Sequence, residues 1–268
     1  MKKIIERAPF FIKKVLLKLG YLRNGARMTD YIKKGNYHIY HVDGWYVPSD
    51  SLGWYVRPAT LKEQTDKICF FKYKPKKGDV VMDIGAGLGE ESLVASHLVG
   101  DTGKVYAIEA NPTVYDILTT IISLNGLQNI APFHVALNNE NSPIVLEEDD
   151  SFLSGALQPL SSAHKKQYTV EGIRFEDFLA KQGITHIDYL KSNIEGAERY
   201  LIDALERKLP SINHLAIACH DFRWKTEGVE FFKTKQIVID FLQKHNYEVF
   251  VQNTGIGNID DWVYGTKV

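Results

Sequence analysis

The sequence predicts an α/β protein in which seven strands form a doubly wound sheet behind a small N-terminal helical and β-hairpin cap. Three observations lead there. From Lys77 onward, apolar runs of five to seven residues alternate with longer segments of helical period, the mark of βαβ units and a parallel sheet. The first run opens directly into Asp83-Ile-Gly-Ala-Gly-Leu-Gly89, a strand-to-helix turn with glycine at alternate positions, which makes the sheet Rossmann-like. Ahead of both, residues 35–60 are rich in Tyr, Trp, His and Val around Asp43-Gly44, the turn chemistry of a β-hairpin.

The elements follow in chain order. Residues 1–34 carry ten Lys or Arg against Glu6 and Asp30, a local +8 that leaves −9 for the rest of a chain whose net charge is −1. This lead reads first as a helix packed on the domain through Ile4, Phe10, Phe11, Val15 and Leu16, and second as a basic amphipathic element for an anionic membrane surface or a partner. With the hairpin it makes a cap over residues 1–72, and the main domain occupies 73–268. Strands are expected at Val80 to Ile84, Lys104 to Glu109, Pro132 to Ala136, His186 to Ser192, His214 to Cys219, Tyr247 to Val251 and Trp262 to Tyr264. Helices are expected near Glu90 to Val99, Thr113 to Leu124, Ala197 to Lys208 and Thr234 to His245. Asn138 to Phe175 breaks the alternation. Its strand-like pieces, Pro143 to Glu147 and Gln167 to Ile173, flank a small polar stretch around Ser154-Gly155 and Ser161-Ser162, and so predict a hairpin-like insertion over the sheet edge.

Composition sets the class and excludes others. A chain of 268 residues, 44% hydrophobic and 24% charged, is ordinary for a globular protein with a sizeable core. Its two cysteines, Cys69 and Cys219, stand 150 positions apart without CxxC spacing, so neither a disulfide framework nor a zinc site is indicated, and a reducing, cytoplasmic setting fits. No apolar run approaches the roughly 20 residues of a membrane span. Lysines interrupt Phe10-Phe-Ile-Lys-Lys-Val-Leu-Leu-Lys-Leu19, which argues against a signal peptide.

The glycine turn lets backbone approach a ligand closely, and Glu109, twenty residues beyond Gly89, ends the next strand where it can accept hydrogen bonds from ribose hydroxyls. An adenosine-type ligand is indicated. Counted from Gly85, the last position of a dinucleotide fingerprint falls on Glu90, a carboxylate where a pyrophosphate would sit on the helix N-terminus, so NAD is disfavoured. Asp83 and Glu90 suit a cationic ligand instead. S-adenosylmethionine carries a sulfonium and an ammonium.

Gly78-Asp-Val-Val-Met-Asp-Ile-Gly-Ala-Gly-Leu-Gly89, Gly103-Lys-Val-Tyr-Ala-Ile-Glu-Ala-Asn-Pro112 and Ile187-Asp-Tyr-Leu-Lys-Ser-Asn-Ile-Glu-Gly-Ala-Glu198 together resemble the FkbM family of S-adenosylmethionine-dependent methyltransferases. The resemblance spans about Tyr73 to Tyr247. It implies the seven-stranded methyltransferase sheet and O-methylation of a sugar, a polysaccharide precursor or a natural-product hydroxyl. Many relatives have Asn where this chain has Ala86, and Asp where it has Asn193. The expected cofactor contacts are Asp83, Gly85, Ala86, Gly87, Gly89, Glu90, Glu109, Ala110 and Asn193.

A second cluster stands where a doubly wound sheet brings strand ends together. Asn193 and Glu195 leave the fourth strand beside the Gly85 turn, and Lys191 on the same side is expected to pair with a carboxylate. The fifth strand ends in Ala218-Cys-His-Asp-Phe-Arg223. Two mechanisms suit these residues: Glu195, His220 and Asp221 hold a divalent cation, Mg²⁺ or Mn²⁺, or His220 is a general base oriented by Asp221. The acceptor is expected to be a small-molecule or glycan hydroxyl rather than a nucleic acid. Tyr40, Trp45, Tyr46, Trp54 and Tyr55 suit stacking on a sugar ring or a cap core. The rival readings are a non-catalytic membrane-surface or partner-binding protein that keeps the fold, and a nicotinamide-dependent oxidoreductase.

Overall fold

The computed structural model describes residue 5 and residues 7–53, 55–148, 155–156 and 167–268. Seven strands form the main sheet in the order β14-β15-β13-β12-β4-β5-β6. They are β4 (Val80–Ile84), β5 (Lys104–Ile108), β6 (Ile130–Phe133), β12 (Ile187–Ser192), β13 (Ile212–Ala218), β14 (Tyr247–Val251) and β15 (Trp262–Lys267). β4, β5, β6, β12 and β13 run parallel, while β15 lies antiparallel between β13 and β14. The chain builds outward from β4 to β6 and then returns to β12 on the other side of β4. Order therefore reverses between β4 and β12, the place where such sheets open a crevice at their carboxyl ends.

Both faces of the sheet are covered because neighbouring strand residues point opposite ways. Val81 and Tyr189 pack with Leu93 and Ile117 on the face of α3 (Glu90–Val99) and α4 (Pro112–Leu124). Met82 and Leu190 pack with Phe178, Leu201 and Val238 on the face of α5 (Phe175–Gln182), α6 (Glu198–Leu205) and α8 (Lys235–Lys244). α4 starts where it does because Pro112 takes its first position and the Asn111 side chain accepts from Thr113 N and Val114 N.

The cap contains the expected hairpin, turning at Asp43-Gly44, and one strand more. It is a three-stranded antiparallel sheet, β1 (Met28–Lys34), β2 (Tyr37–Val42) and β3 (Trp45–Ser49), followed by α2 (Pro58–Lys67). Ahead of it, α1 (Phe10–Arg23) packs through Leu17 and Tyr21, whose hydroxyl donates to Val56 O at 2.8 Å. The expected packing face is wrong for three of its members: Phe10, Phe11 and Val15 are exposed, and Leu16 is half-buried. Ile4 lies outside the described residues. Position 17 buries rather than 15 because one turn of helix separates 17 from 21, and Tyr21 is the ring that meets Tyr40.

Other boundaries moved by a few residues. The third predicted strand runs Ile130–Phe133, and Ala136 belongs instead to β7 (Ala136–Asn138), which pairs in parallel with β11 (Gly172–Arg174). The insertion is a small sheet of β8 (Ile144–Glu148), β9 (Gly155–Ala156) and β10 (Gln167–Val170). Ser154, Ser161 and Ser162 lie outside the described residues. α6 ends at Leu205, short of the expected Lys208, because Pro210 follows in a 3₁₀ turn.

Candidate active site

β4 delivers its last residue, Ile84, into a turn in which Gly85, Gly87 and Gly89 all have positive φ, at 69°, 58° and 96°. The backbone is locked from two sides. Gly85 N and Ala86 N both donate to Ile108 O at 2.9 Å, and a Cβ on Gly85 would stand 2.0 Å from Asn193 O. Gly89 packs on Leu118 and starts α3, so it serves the turn rather than the crevice. Gly87 N reaches Glu109 Oε2 at 2.9 Å, while Glu109 Oε1 accepts from Asn111 N at 2.7 Å. Burial pushes the Glu109 carboxyl up to about 7 even against those two amides.

Two cavities meet at Gly85, Glu109, Asn193 and Glu195. The first is mostly apolar, lined by Ile108, Ala110, Val135, Leu146 and Tyr200 among others. The second lies over the glycine turn beside Ala86, Gly87 and Glu90, roofed by Leu61, Gln64 and Thr65 of α2. Burial and the neighbouring Glu91 push Glu90 up to about 8. Asp83 lines neither cavity. Its carboxylate lies 2.9 Å from Lys191 Nζ and accepts from Ser92 Oγ at 2.6 Å, so the expected direct contact with a cationic ligand gives way to a buried ion pair. Lys191 also donates to Gly85 O at 2.9 Å, tying the pair to the turn. Burial alone would favour the neutral amine, but Asp83 and Glu91 outweigh it and hold Lys191 charged.

At the ends of β12 and β13 the structure brings Glu195 and His220 together but not Asp221. His220 Nε2 lies 3.5 Å from Glu195 Oε1, and its Nδ1 lies 3.0 Å from Glu198 Oε1. Glu198 is fully buried, held also by Thr234 Oγ1 and Gly196 N at 3.0 and 3.1 Å. Burial would lower the imidazole's pKa, yet the charges of Glu198 and Glu195 outweigh it and push it up to about 10. His220 is thus an imidazolium at neutral pH, which removes the free base expected there. Arg223 donates to Glu195 Oε2 at 2.9 Å. Burial favours the neutral form of Glu195, but His220 and Arg223 prevail and hold it below the usual carboxylate range.

Asp221 turns away and accepts from Thr234 N and Lys235 N at 3.0 and 2.7 Å, capping α8. It can neither orient His220 nor complete a metal site. Among the described residues no group of three His, Cys, Asp or Glu side chains is arranged to hold a metal ion. Glu198 is the partner that sequence reasoning missed. Nothing local marked it, since Glu195, at a φ of 52°, lies outside the helix that Glu198 begins, and Thr234 stands 36 residues further on.

Tyr40, Trp45, Tyr46 and Tyr55 line neither cavity. Tyr40 is fully buried against Tyr21 and Tyr31, Trp45 stacks on His97 at 3.7 Å, and Tyr46 stacks on His41 at 4.3 Å. Tyr55 is exposed, and Trp54 lies outside the described residues.

The sequence profile described as "Methyltransferase FkbM domain" matches residues 83–249, from Asp83 into β14. The chain belongs to the FkbM methyltransferase family. A solved FkbM methyltransferase of Methylobacillus flagellatus shares its fold, with a TM-score of 0.51 at 14% identity over 78% of this chain and 50% of that one. A curated protein-L-isoaspartate O-methyltransferase of Methanocella arvoryzae is 34% identical over 58 residues, 22% of this chain and 31% of its own length. The 23S rRNA (uracil(1939)-C(5))-methyltransferase RlmD of Acinetobacter baylyi is 33% identical over 72 residues, 27% of this chain and 16% of its own. The chain thus spans less than half the length of these curated relatives.

The residues of the FkbM domain fit S-adenosylmethionine. A Cβ on Gly87 would enter open space beside the second cavity, and Asn193 Oδ1 is buried with no hydrogen-bond partner among the described residues. Glu109 stands between them with lone pairs to spare. Nothing in the turn suits a pyrophosphate, since Glu90 and Glu91 occupy the first turn of α3.

Proposed function

We propose that the protein is an O-methyltransferase that moves a methyl group from S-adenosylmethionine to a hydroxyl of a sugar, a polysaccharide precursor or a natural product. Glu195 carries this reading. It holds a non-glycine φ of 52°, a conformation that costs free energy and clusters at functional sites, and it stands where the two cavities meet.

Bound S-adenosylmethionine supplies a methyl group on a positively charged sulfur, open to in-line attack by oxygen. Glu109 accepts from the ribose hydroxyls, and Asn193 Oδ1 accepts from a donor on the cofactor. Glu90, pushed up to about 8 by burial and Glu91, would be drawn toward its ionised form by a cationic ligand and would balance that charge. Glu195 would hydrogen-bond the acceptor hydroxyl, turn its oxygen toward the cofactor and take the proton released as that oxygen gains the methyl group and the carbon–sulfur bond breaks. Arg223 and the His220 imidazolium hold its carboxylate in place. Orientation of this kind can be worth roughly 7 to 11 kcal/mol.

Methyl-tritiated S-adenosylmethionine tests the reading when the protein is offered small glycans, polyols and total RNA in parallel. Label in base-stable ethers on the glycan or polyol is expected. Label confined to RNA would refute the proposed acceptor class, and cofactor binding without transfer to any acceptor would refute the methyltransferase reading.

A further inference from the structure

We infer that α1 is a docking face for an anionic phospholipid bilayer. Taking Leu17 as the centre of the buried side, a helix of about 100° per residue places Val15 and Leu19 nearly opposite it, with Leu22 and Phe11 beside them on one flank and Ile12 on the other. These five side chains are between 42% and 77% exposed, a continuous apolar arc on a helix whose other side is already packed. Scattered exposed leucines need no explanation, but an arc of this size on one element does.

The charges around the arc choose the occupant. By the same geometry Lys18 borders it on one side and Arg23 on the other, both exposed. Arg7, Arg27 and Lys33, elsewhere in the same basic segment, are exposed too. Residues 7–34 hold eight Lys or Arg and one acid, Asp30, which is already paired with Lys14. An apolar stripe flanked by long cationic side chains suits the boundary between acyl chains and anionic headgroups, where the stems lie on hydrocarbon and the charges stay in water. A second copy of this chain would bring like charges together. At 14 residues α1 is about 21 Å long and lies on such a surface rather than crossing it, in line with the absence, among the described residues, of any helix long and apolar enough to span.

Sedimentation of the full chain with phosphatidylcholine vesicles, with and without phosphatidylglycerol, tests this. At about 0.1 M salt, partitioning should be at least tenfold stronger onto the anionic vesicles, falling several-fold at about 0.5 M as screening tightens. Phe11→Ser with Leu19→Ser should lose at least tenfold while leaving the melting temperature unchanged, since both residues are exposed. Lys18→Ser with Arg23→Ser should remove the preference for phosphatidylglycerol. Equal wild-type partitioning onto both vesicle types overturns the inference, as does undiminished binding by the apolar double variant. A wild-type dimer that the same apolar substitutions make monomeric, with no vesicle binding, would assign the arc to self-association instead.

Discussion

His220 Nδ1 lies 3.0 Å from Glu198 Oε1, and both side chains are shut away from water. The imidazolium N–H donates to the carboxylate, and its second nitrogen faces Glu195. One buried cation thus joins a carboxylate that never meets the crevice to one that lines it.

This pairing makes stability depend on pH. The folded pKa of about 10 exceeds the ordinary value of about 6.5 in an unfolded chain. The contribution is therefore complete below pH 6.5 and is lost as pH rises through about 10. Urea unfolding at pH 6, 8 and 10 should show stability falling across the series, by no more than about 1.4 kcal/mol per unit from this group. His220→Gln should lower the pH 6 value and flatten the difference. A variant that parallels the wild type at every pH would disprove the linkage.

Glu195→Gln keeps the shape of the side chain and removes its charge. We expect kcat to fall by about 10² to 10⁴, the usual span for a group that handles a proton. The affinity for S-adenosylhomocysteine should change less than threefold, because Glu109 rather than Glu195 is the proposed acceptor for the ribose. Loss of cofactor affinity with normal turnover at saturation would move Glu195 out of the chemistry.

Cofactor affinity should weaken in acid. Glu109 ionises near 7 in the free protein, and only the ionised carboxylate accepts from both ribose hydroxyls. Calorimetry with S-adenosylhomocysteine should show binding about tenfold weaker at pH 6 than at pH 8. Glu90, held near 8, acts in the same direction. Glu109→Gln should weaken binding at pH 8 and shrink the pH dependence. A pH-independent wild-type Kd contradicts this role.

The two glycines should fail differently. Gly85→Ala drives a methyl group into the Asn193 carbonyl, a clash of backbone with backbone that should cost about 3 kcal/mol or more and be visible as a much lower melting temperature. Gly87→Ala meets nothing and pays only for its positive φ, about 1 to 2 kcal/mol, yet should impair cofactor binding by filling the open side of the turn. Equal stability losses would mean that the turn is not pinned by β12.

Much of the sheet was legible because strands buried on both faces are short apolar runs between helical periods. Val80–Ile84, Glu90–Val99 and Tyr247–Val251 stand where the pattern put them. The glycine turn was legible for a similar reason, since positive φ leaves a glycine signature. Asp221 was not. Its place beside His220 in the chain says nothing of direction, and after the β13 end the chain enters a helix that sends the two side chains apart. Glu198 was missed because nothing local announces a carboxylate that will be buried by a threonine 36 residues later. The first strand of the cap was missed because Met28–Lys34 is rich in charge, and only its pairing with Tyr37–Val42 makes it a strand.

Tyr189, in the middle of the main sheet, donates its hydroxyl to Cys69 O and carries Phe70 edge-on at 5.4 Å and Tyr73 stacked at 5.8 Å. The same apolar mass runs on without a break into Leu61, Tyr40, Tyr21 and Leu17. Proteolysis near residue 72 would therefore not release a smaller working enzyme. It would uncover a wall of aromatic and branched side chains on the domain left behind, and the fragment would precipitate or cling to the piece that had been cut away.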